Sequence, residues 1–481
     1  MTAAPTPTAA VRAAASRWPA PTPTPASSGP TPARPAGPSP KAPATAAGGL
    51  FSPQSKSLGI DQAEASLAVL DKTTYAAATC RSYAEAAATL GKLADLPTGP
   101  KQVERVAQRI GGERVAERDA AASAYQALPL ATKVEAPAGV APPPLAVVMA
   151  DGGRWQVRDS RDGEPPAAGA AADEDFEEAA PAKHWREDKV GLLLVMASPV
   201  SATDPCPEIP RAFVDPLRIP KLARELKKNA RRADAAAPAE EAEPEAAEEA
   251  LREAPAYEPP RVVQRRVVAS GRPWRAFAPL VAQAAWAWGF PGAARKAFVG
   301  DGSANNWRLQ RRCFASFVAI LDFIHALSYV FAAAVAGRPF AAGWACYEQW
   351  IGWVWQGQVG RVIAALEGRQ AELGAPAADE AETSPRQVVA QALTYLRNQQ
   401  DKMRYDEYRR QGLPITSSLL ESTVKQVGRR VKGAEKFWTE AGGEAILQLR
   451  ADYLSDDQPL EAFWQRRQDR ATGRRRYRKS G

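Results

Sequence analysis

The chain contains few of the residues that build zinc sites and disulfide frameworks. Among its 481 residues are only four cysteines and two histidines. The cysteines lie far apart, and no pair of them has the CxxC spacing of a zinc site. They are Cys80, Cys206, Cys313 and Cys346. A zinc centre and a disulfide framework are therefore not expected, and the pattern suits a reducing cytoplasm.

Long apolar segments are equally scarce. The N-terminus lacks the charged start and apolar run of a signal peptide. Only Cys313–Gly337 is long and apolar enough to suggest a membrane span. Asp322 and His325 lie near its middle, and burying such groups in lipid is costly. We therefore predict a buried strand followed by a buried helix and expect no membrane partner. A membrane-associated scaffold is the alternative.

What the chain does have is a net charge of +8 and several segments of low complexity. The N-terminal segment is rich in Pro, Ala, Thr and Ser, two internal segments are acidic and Ala-rich, and the C-terminal tail is strongly basic. Such segments bury too little apolar surface to offset their loss of entropy on ordering, so we expect them to be disordered or solvated. The charge fits a partner with a phosphate backbone but does not determine the fold.

The first ordered segment indicates two helices, Tyr83–Ala94 and Lys101–Ile110, joined by the helix-breaking run LPTGP. The second has apolar residues at helical spacing on one side and cations at every fourth residue on the other. The apolar residues are Val103, Val106 and Ile110, and the cations are Lys101, Arg105 and Arg109. A helix-turn-helix places such a helix in the DNA major groove. An ordinary helical hairpin with a solvated basic face is the alternative.

Short apolar runs then predict a sheet. The run LAVVMA, bounded by prolines and by Asp151-Gly152-Gly153, indicates a buried strand that ends in a turn, with Trp155 and Val157 on its hairpin partner. A helix is predicted next, and further strands precede and follow it. The helix is Pro273–Phe290, and the strands are Val190–Met196, Lys296–Gly300 and Val318–Leu321. Three consecutive strands, a helix, and strands with crossover helices match a mixed sheet of ribonuclease-H type.

The remaining chain is predicted to be helical. Between residues 324 and 400, four large apolar residues fall at helical spacing, and we assign them to a core. They are Trp344, Tyr347, Ile351 and Trp355. The last helix of the predicted core begins after Gly412-Leu413-Pro414 and carries Glu421.

Two carboxylates follow separate predicted strands. Asp151 comes after LAVVMA and Asp301 after KAFVG, and each precedes a glycine. Ligands of sheets with crossover helices bind beyond the carboxyl ends of the strands. Oxygen ligands converging there would suit Mg²⁺ or Mn²⁺, and two such ions can promote phosphoryl displacement. The alternative is that each Asp-Gly pair only forms a turn.

Glu421 also has two interpretations. Ser418-Leu-Leu-Glu421 has the S-x-x-E spacing of a helix capping box. The same helix face, however, carries a row of cations, which fits a metal ligand beside a phosphate track. The cations are Lys425, Arg429 and Lys432. His325, in the spacing Asp322-x-x-His325, is by itself more typical of a structural histidine than of a functional one.

Taken together, four segments resemble the DDE transposases of bacterial insertion sequences, in the Kra-type group. The segments are ADGGRWQVRD, FVGDGSANNW, ILDFIHA and MRYDEYRRQGLPITSSLLESTVKQVGRRVKGAEKFW, and the N-terminal run VERVAQRIGGERV is also similar. The resemblance covers residues 50–463 apart from the low-complexity interruptions, and its most specific part is the block around Glu421. One departure is Asn305-Asn306, which stands where an apolar-aromatic pair is usual before Trp307.

The resemblance implies that Asp151, Asp301 and Glu421 form a catalytic triad that binds two Mg²⁺ or Mn²⁺ ions. It implies that His325, in the Asp322-x-x-His325 motif, helps to position DNA. Element ends and target DNA are the expected partners, bound by a homo-oligomer in the bacterial cytoplasm at the nucleoid. A catalytically inactive, transposase-derived DNA-binding protein is the alternative, and a nuclease that cuts without joining is another.

The expected fold class is α/β: a ribonuclease-H-like mixed sheet with an inserted all-α domain and an N-terminal helical DNA-binding unit. In chain order, the parts are a disordered segment 1–48, a helix-turn-helix-like unit 49–135, the first part of the core 140–323 with low-complexity interruptions 159–182 and 233–260, an all-α insertion 324–400, the last part of the core 401–465 and a basic tail 466–481.

Overall fold

The computed structural model describes residues 42–43, 50–51, 65–158, 176, 184–234, 258–433 and 436–472. The predicted disordered segment 1–48, apart from its two residues 42–43, and most of both low-complexity interruptions lie outside these ranges. Strands β1 (Ala42–Pro43) and β2 (Leu50–Phe51) pair antiparallel within a unit of their own, residues 1–56. All other elements belong to a second unit.

A mixed sheet of six strands forms the centre of this second unit. Its strands are β3 (Leu145–Val157), β4 (Trp185–Ala197), β5 (Arg261–Ser270), β6 (Arg295–Gly300), β7 (Val318–Leu321) and β8 (Phe437–Trp438). The spatial order is β5-β4-β3-β6-β7, and β8 pairs with the end of β3. β3, β4 and β5 are antiparallel neighbours, whereas β6 and β7 run parallel to β3. The sheet is therefore an antiparallel three-stranded meander extended by parallel crossover strands.

Fifteen helices of the described residues surround or extend the sheet. Those before β7 are α1 (Leu67–Thr79), α2 (Tyr83–Leu93), α3 (Pro100–Ala127), α4 (Leu130–Lys133), α5 (Ile219–Asp234), α6 (Trp274–Ala287) and α7 (Ala304–Cys313). Those after β7 are α8 (Phe323–Val335), α9 (Phe340–Trp355), α10 (Val359–Leu373), α11 (Pro385–Gln399), α12 (Tyr405–Arg410), α13 (Ser418–Val431), α14 (Glu440–Leu454) and α15 (Pro459–Thr472).

Both faces of the sheet are covered by helices. Gly191, opposite Ala150 in the β3–β4 pair, faces Val281 of α6. Trp155 lies on the other face, where its ring fills the space above Gly443 of α14. Since successive side chains of a strand point to opposite faces, Asp151 shares the face of Trp155.

Two features of the sheet differ from the prediction. The turn at Asp151 is wrong, because β3 continues without interruption to Val157 and pairs with β4 along its length. Gly152 and Gly153 instead make room for neighbouring side chains: a Cβ on Gly153 would lie 2.7 Å from the Asp188 carboxylate. β5 was not predicted, since its sequence RVVQRRVVAS is rich in arginine.

The arginines of β5 are accommodated at the sheet edge by acidic residues far along the chain. Arg265 pairs with Asp456 and Arg266 with Asp457, at 3.3 Å each. Charged side chains are tolerated on an edge strand, where one side of the strand remains open. The arginines made the sequence of β5 look unlike a strand, because their acidic partners come close only in the folded chain.

The N-terminal helices pack within the same unit as the sheet. Val103, Val106 and Ile110 are buried as predicted, but α3 has 28 residues, far more than the predicted helix Lys101–Ile110. Its second half lies against α14, where Arg114 forms a buried ion pair with Asp452 at 2.9 Å. α3 therefore has a structural role in the fold, in addition to its predicted role as a DNA-recognition helix.

The close contact between α3 and α14 provides a test of this packing. A Cβ on Gly111 would lie 2.6 Å from the carbonyl oxygen of Ala445, whereas a Cβ on Gly112 meets nothing within 4 Å. We expect Gly111→Ala to destabilise the protein by about 2 kcal/mol through overpacking. The matched change Gly112→Ala should stabilise it by roughly 0.5–1 kcal/mol through helix propensity. Urea denaturation measures both, and equal effects would contradict the described helix contact.

Residues 324–400 are helical apart from short connections, as predicted. Tyr347, Ile351 and Trp355 are buried, and Trp344 packs on Tyr347. The guanidinium carbon of Arg409, in α12, lies 3.9 Å from the centre of the Trp355 ring, and Arg409 also forms an ion pair with Asp204 of a preceding loop. These contacts tie the helical segment to the rest of the unit.

The segment Cys313–Gly337 contains β7 and α8, as predicted. Among the described residues, no helix has both the length and the apolar character that crossing a bilayer requires. The predicted basic arm begins differently from the expectation, because α15 continues to Thr472 and Arg466 pairs with Glu117 of α3 at 2.7 Å. Residues 473–481 lie outside the described ranges.

Candidate active site

Three carboxylates from distant parts of the sequence come together at the sheet. β3 and β6 run side by side with Met149 opposite Val299, so Asp151 and Asp301 each follow the last paired residue by two positions. Glu421 lies in the first turn of α13, which packs on β3. Burial raises the pKa of Asp151 to about 7, and the charges of Asp301 and Glu421 add to this effect. The carboxylates therefore repel one another across a shared space.

The loop that carries Asp301 is held from two sides. Its Oδ1 accepts hydrogen bonds from the Ser303 backbone amide at 2.9 Å and from the side-chain amide of Asn306 at 2.8 Å. From α11, Tyr395 donates its hydroxyl to the Asp301 carbonyl at 2.7 Å. Gly302 has a φ of +100°, and the Tyr395 hydroxyl lies 2.8 Å from where its Cβ would be. Only glycine satisfies both the left-handed backbone and the close contact.

Glu421 does not belong to a capping box. The N-cap of α13 is Ser417, which makes no side-chain capping bond. Its hydroxyl donates to Asp322 Oδ2 at 2.7 Å, and Ser418 donates to Thr416 at 3.2 Å. Burial and the charge of Asp322 raise the pKa of Glu421, against the opposing charges of His325 and Lys425. The capping interpretation of Ser418-x-x-Glu421 is therefore wrong.

His325 is held in place by Asp322. Its Nδ1 lies 2.8 Å from Asp322 Oδ2, the oxygen that also accepts the Ser417 hydroxyl. Asp322 Oδ1 accepts the Ile324 backbone amide at 2.9 Å. Burial disfavours the imidazolium, but the hydrogen bond and the charges of Asp322, Asp301 and Glu421 outweigh it and raise the pKa of His325 to about 10. The histidine is thus a cation among carboxylates, with Nε2 left for another partner.

Asp322, His325 and Glu421 form a group that could hold a metal ion, since one ligand atom of each lies within 4.8 Å of the others. Both oxygens of Asp322 are already engaged by Ile324, Ser417 and His325. Three of its roughly four lone-pair positions are thus used, which leaves one on Oδ1 for a metal. Asp322 is therefore better suited to orient His325 than to bind a metal.

The predicted cations of α13 separate in the structure. Lys425 is close enough to Glu421 to lower its pKa, while Arg429 is exposed in the last turn. Lys432 lies beside the buried carboxylate of Asp188, where its charge opposes the rise in the pKa of Asp188 caused by burial. That these three cations bind phosphate stays a prediction.

The three predicted DNA-binding cations of α3 lie in its N-terminal part. Lys101 is exposed and pairs with Glu104 at 2.8 Å. Arg105 is exposed and Arg109 is half-buried. A recognition helix and a solvated helical hairpin both have an exposed basic face, so the two interpretations stay open.

Several residues of the site were not singled out from the sequence. Asn306 was visible only as an unusual residue, although it holds Asp301. Ser417 had no signal beyond its place before a predicted helix. Tyr395 and Gln399 lie in α11, and Gln399 donates to the Gly302 carbonyl at 3.2 Å. No local pattern could have revealed the contacts of Ser417, Tyr395 and Gln399, because each of these spans more than 90 residues.

Comparison of the chain with protein-family models, with curated proteins and with solved structures finds no match.

Proposed function

We propose that the protein is a DDE-type DNA transposase with a ribonuclease-H-like core. The observation that carries the proposal is the convergence of Asp151, Asp301 and Glu421: burial raises the pKa of Asp151 and of Glu421, and the charge of Asp301 raises both further. The sheet order supports the fold: counted from β3, the five main strands lie in the order 3-2-1-4-5, with the first three antiparallel. The motif resemblance adds the reaction type.

The carboxylates fit Mg²⁺ or Mn²⁺. Their donors are all oxygen, which hard divalent cations prefer, and their mutual repulsion leaves negative charge that a cation would neutralise. Asp151, Asp301 and Glu421 would hold the ions. With two divalent ions bound, such a site activates the attacking oxygen and stabilises the leaving oxygen in phosphoryl displacement.

The protein's own residues then position the DNA. In the first step a water oxygen bonds to phosphorus and the 3′ oxygen leaves, so that a 3′-hydroxyl is freed. In the second, the oxygen of this hydroxyl bonds to a target phosphorus, and the 3′ oxygen of the target strand leaves and takes up a proton. His325, held by Asp322, presents a cation beside the carboxylates and would orient a phosphate oxygen. Lys425 lies near Glu421 and would contact the same strand. Two element ends must be held together, so a homo-oligomer is expected during the reaction.

The test is strand cleavage and joining on DNA that carries the ends of the encoding element, with Mg²⁺ or Mn²⁺. We expect joined product from the native protein and none from Asp301→Asn. Cleavage without joining would indicate a nuclease. Binding without cleavage in both proteins would favour an inactive DNA-binding derivative, and equal cleavage by both would place the active site elsewhere.

Asn306 is expected to position Asp301 for metal binding. Asn306→Leu removes the amide that donates to Asp301 Oδ1. Loss of such a partner behind a metal ligand typically costs about 10-fold to 100-fold in metal affinity, and we expect the lower end because the Ser303 amide remains. Titration with Mn²⁺ measures the change. Asn305→Leu is the matched control, since Asn305 bonds to Arg308; equal losses in both variants would contradict this role.

A further inference from the structure

A basic cleft lies beside the Asp301 loop, between α7 and the end of α11. Its volume is about 350 Å³. It is lined by three cations, polar side chains and the backbone of the catalytic loop, and no carboxylate lies among its lining residues. Its lining includes Gly302, Trp307, Arg308, Arg311, Gln399 and Lys402.

We infer that this cleft holds the phosphate backbone of the DNA strand that passes Asp301. The inference rests on the proposed function and assigns the phosphate contacts to α7 and α11 rather than to α13.

The cations of the cleft are suitably placed for phosphate. Arg308 and Arg311 are three residues apart on α7 and therefore lie on one face of the helix. Arg311 is exposed and forms no ion pair within the part of the chain that the structure describes. Lys402 lies 5.4 Å from the centre of the Trp307 ring and pairs with the exposed Asp401 at 2.7 Å. Neighbouring guanidinium groups suit successive phosphates of a strand.

Two buried polar atoms of lining residues point to a polar ligand. Trp307 Nε1 and Gln399 Oε1 are buried, and neither has a hydrogen-bond partner among the described residues. Buried polar groups are normally paired, so each is an exception that asks for a partner. The indole N–H would donate to a phosphate oxygen. The amide oxygen would accept from a base amino group.

The cleft is directly connected to the catalytic loop. Gly302 lines it and immediately follows Asp301, and Gln399 donates to the Gly302 carbonyl. A strand bound to Arg308 and Arg311 would therefore run past Asp301. By contrast, Lys432, which directly follows α13, lies beside Asp188. The contacts of the structure thus favour the cleft over the predicted α13 row as the phosphate track.

The test is the salt dependence of DNA binding. A labelled single-stranded oligonucleotide is titrated with the native protein, with Arg311→Gln/Lys402→Gln and with Arg361→Gln, an exposed arginine at the start of α10, across a range of KCl concentrations. The plot of log K against log salt has a negative slope, and each lost phosphate contact reduces its magnitude by about 0.7. We expect the magnitude of this slope to be smaller by about 1.4 in the double variant than in the native protein. The double variant should also bind the oligonucleotide at least 10-fold more weakly at low salt. Arg361→Gln should match the native protein.

Three results would overturn the inference. A native slope in the double variant would exclude the cleft, and so would an equal loss in Arg361→Gln. Competition by inorganic phosphate beyond its ionic strength would identify a small-anion site instead. The proposed function is tested separately by Asp301→Asn, which should lose cleavage while keeping the native slope. If the double variant keeps both cleavage and the native slope, the phosphate-binding role of the cleft is rejected but the proposed function is not. If the native protein neither binds nor cleaves DNA, the proposed function and the role of the cleft are both rejected.

Discussion

Glu421→Gln is expected to reduce metal-dependent strand cleavage by about 1,000-fold or more while the fold persists. Glutamine keeps the length and shape of the side chain but removes a negative charge from a group of carboxylates in which burial, and then the charges of Asp301 and Glu421, raise the pKa of Asp151 to about 7. Since the charge at Glu421 costs stability in the absence of metal, its loss should not unfold the protein. Gel analysis of cleaved and joined strands measures the effect.

The matched control is Glu440→Gln, an exposed glutamate in the first turn of α14. It removes the same charge from the neighbouring helix and should leave cleavage within about twofold of the native rate, since surface substitutions have small effects. Native cleavage by Glu421→Gln would remove Glu421 from the active site. A large loss in both variants would point to a general effect of charge rather than to the carboxylate group.

A second comparison separates two possible metal-binding sets that share Glu421. The proposed set contains Asp151 and Asp301, whereas a set of Asp322, His325 and Glu421 also has suitable spacing. If the first is correct, Asp301→Asn abolishes Mn²⁺ binding and His325→Ala retains it. The reverse result would assign the metal to the second set and would leave Asp151 and Asp301 without a catalytic role.

The sequence located the three carboxylates better than it explained the residues around them. Asp151 and Asp301 were found because each follows an apolar run that suits a buried strand. The glycines after Asp151, however, indicated a turn, whereas they allow the Asp188 carboxylate to approach β3. A glycine that permits a turn and one that permits close approach are identical in sequence, so only the paired strand distinguishes them.

Contacts that form only in the folded chain account for the other differences. The sequence of β5 has the pattern of a polar segment. In the fold, its arginines are paired with Asp456 and Asp457. Asn306 is only an unusual residue in the sequence, whereas in the fold its side-chain amide donates a hydrogen bond to Asp301. Periodicity and caps report on neighbours within a few residues, and they therefore predicted the helices between residues 324 and 400 but not which of them supports the Asp301 loop.

Asp151→Asn is expected to stabilise the metal-free protein at about pH 8, by roughly 2 kcal/mol. The folded pKa of Asp151 is about 7, against 3.8 for the ordinary group. Each unit of difference corresponds to about 1.4 kcal/mol, and we discount the sum because the side chain is partly open to solvent. The folded state holds this proton more tightly than the unfolded state does, so native stability falls as the pH rises from about 4 to about 7. Asparagine removes that cost.

Urea denaturation in the presence of a chelator measures this gain, with Asp379→Asn, an exposed loop residue, as the control. The gain should be complete above about pH 7 and absent near pH 4, where Asp151 of the native protein is protonated. Added Mn²⁺ should then raise the melting temperature of the native protein more than that of Asp151→Asn, since a ligand stabilises only the state that binds it. A gain that persists at pH 4 would show that packing, rather than charge, is responsible. A gain without any difference in the Mn²⁺ response would mean that the repulsion at Asp151 is not relieved by metal, and the carboxylates would then need another function.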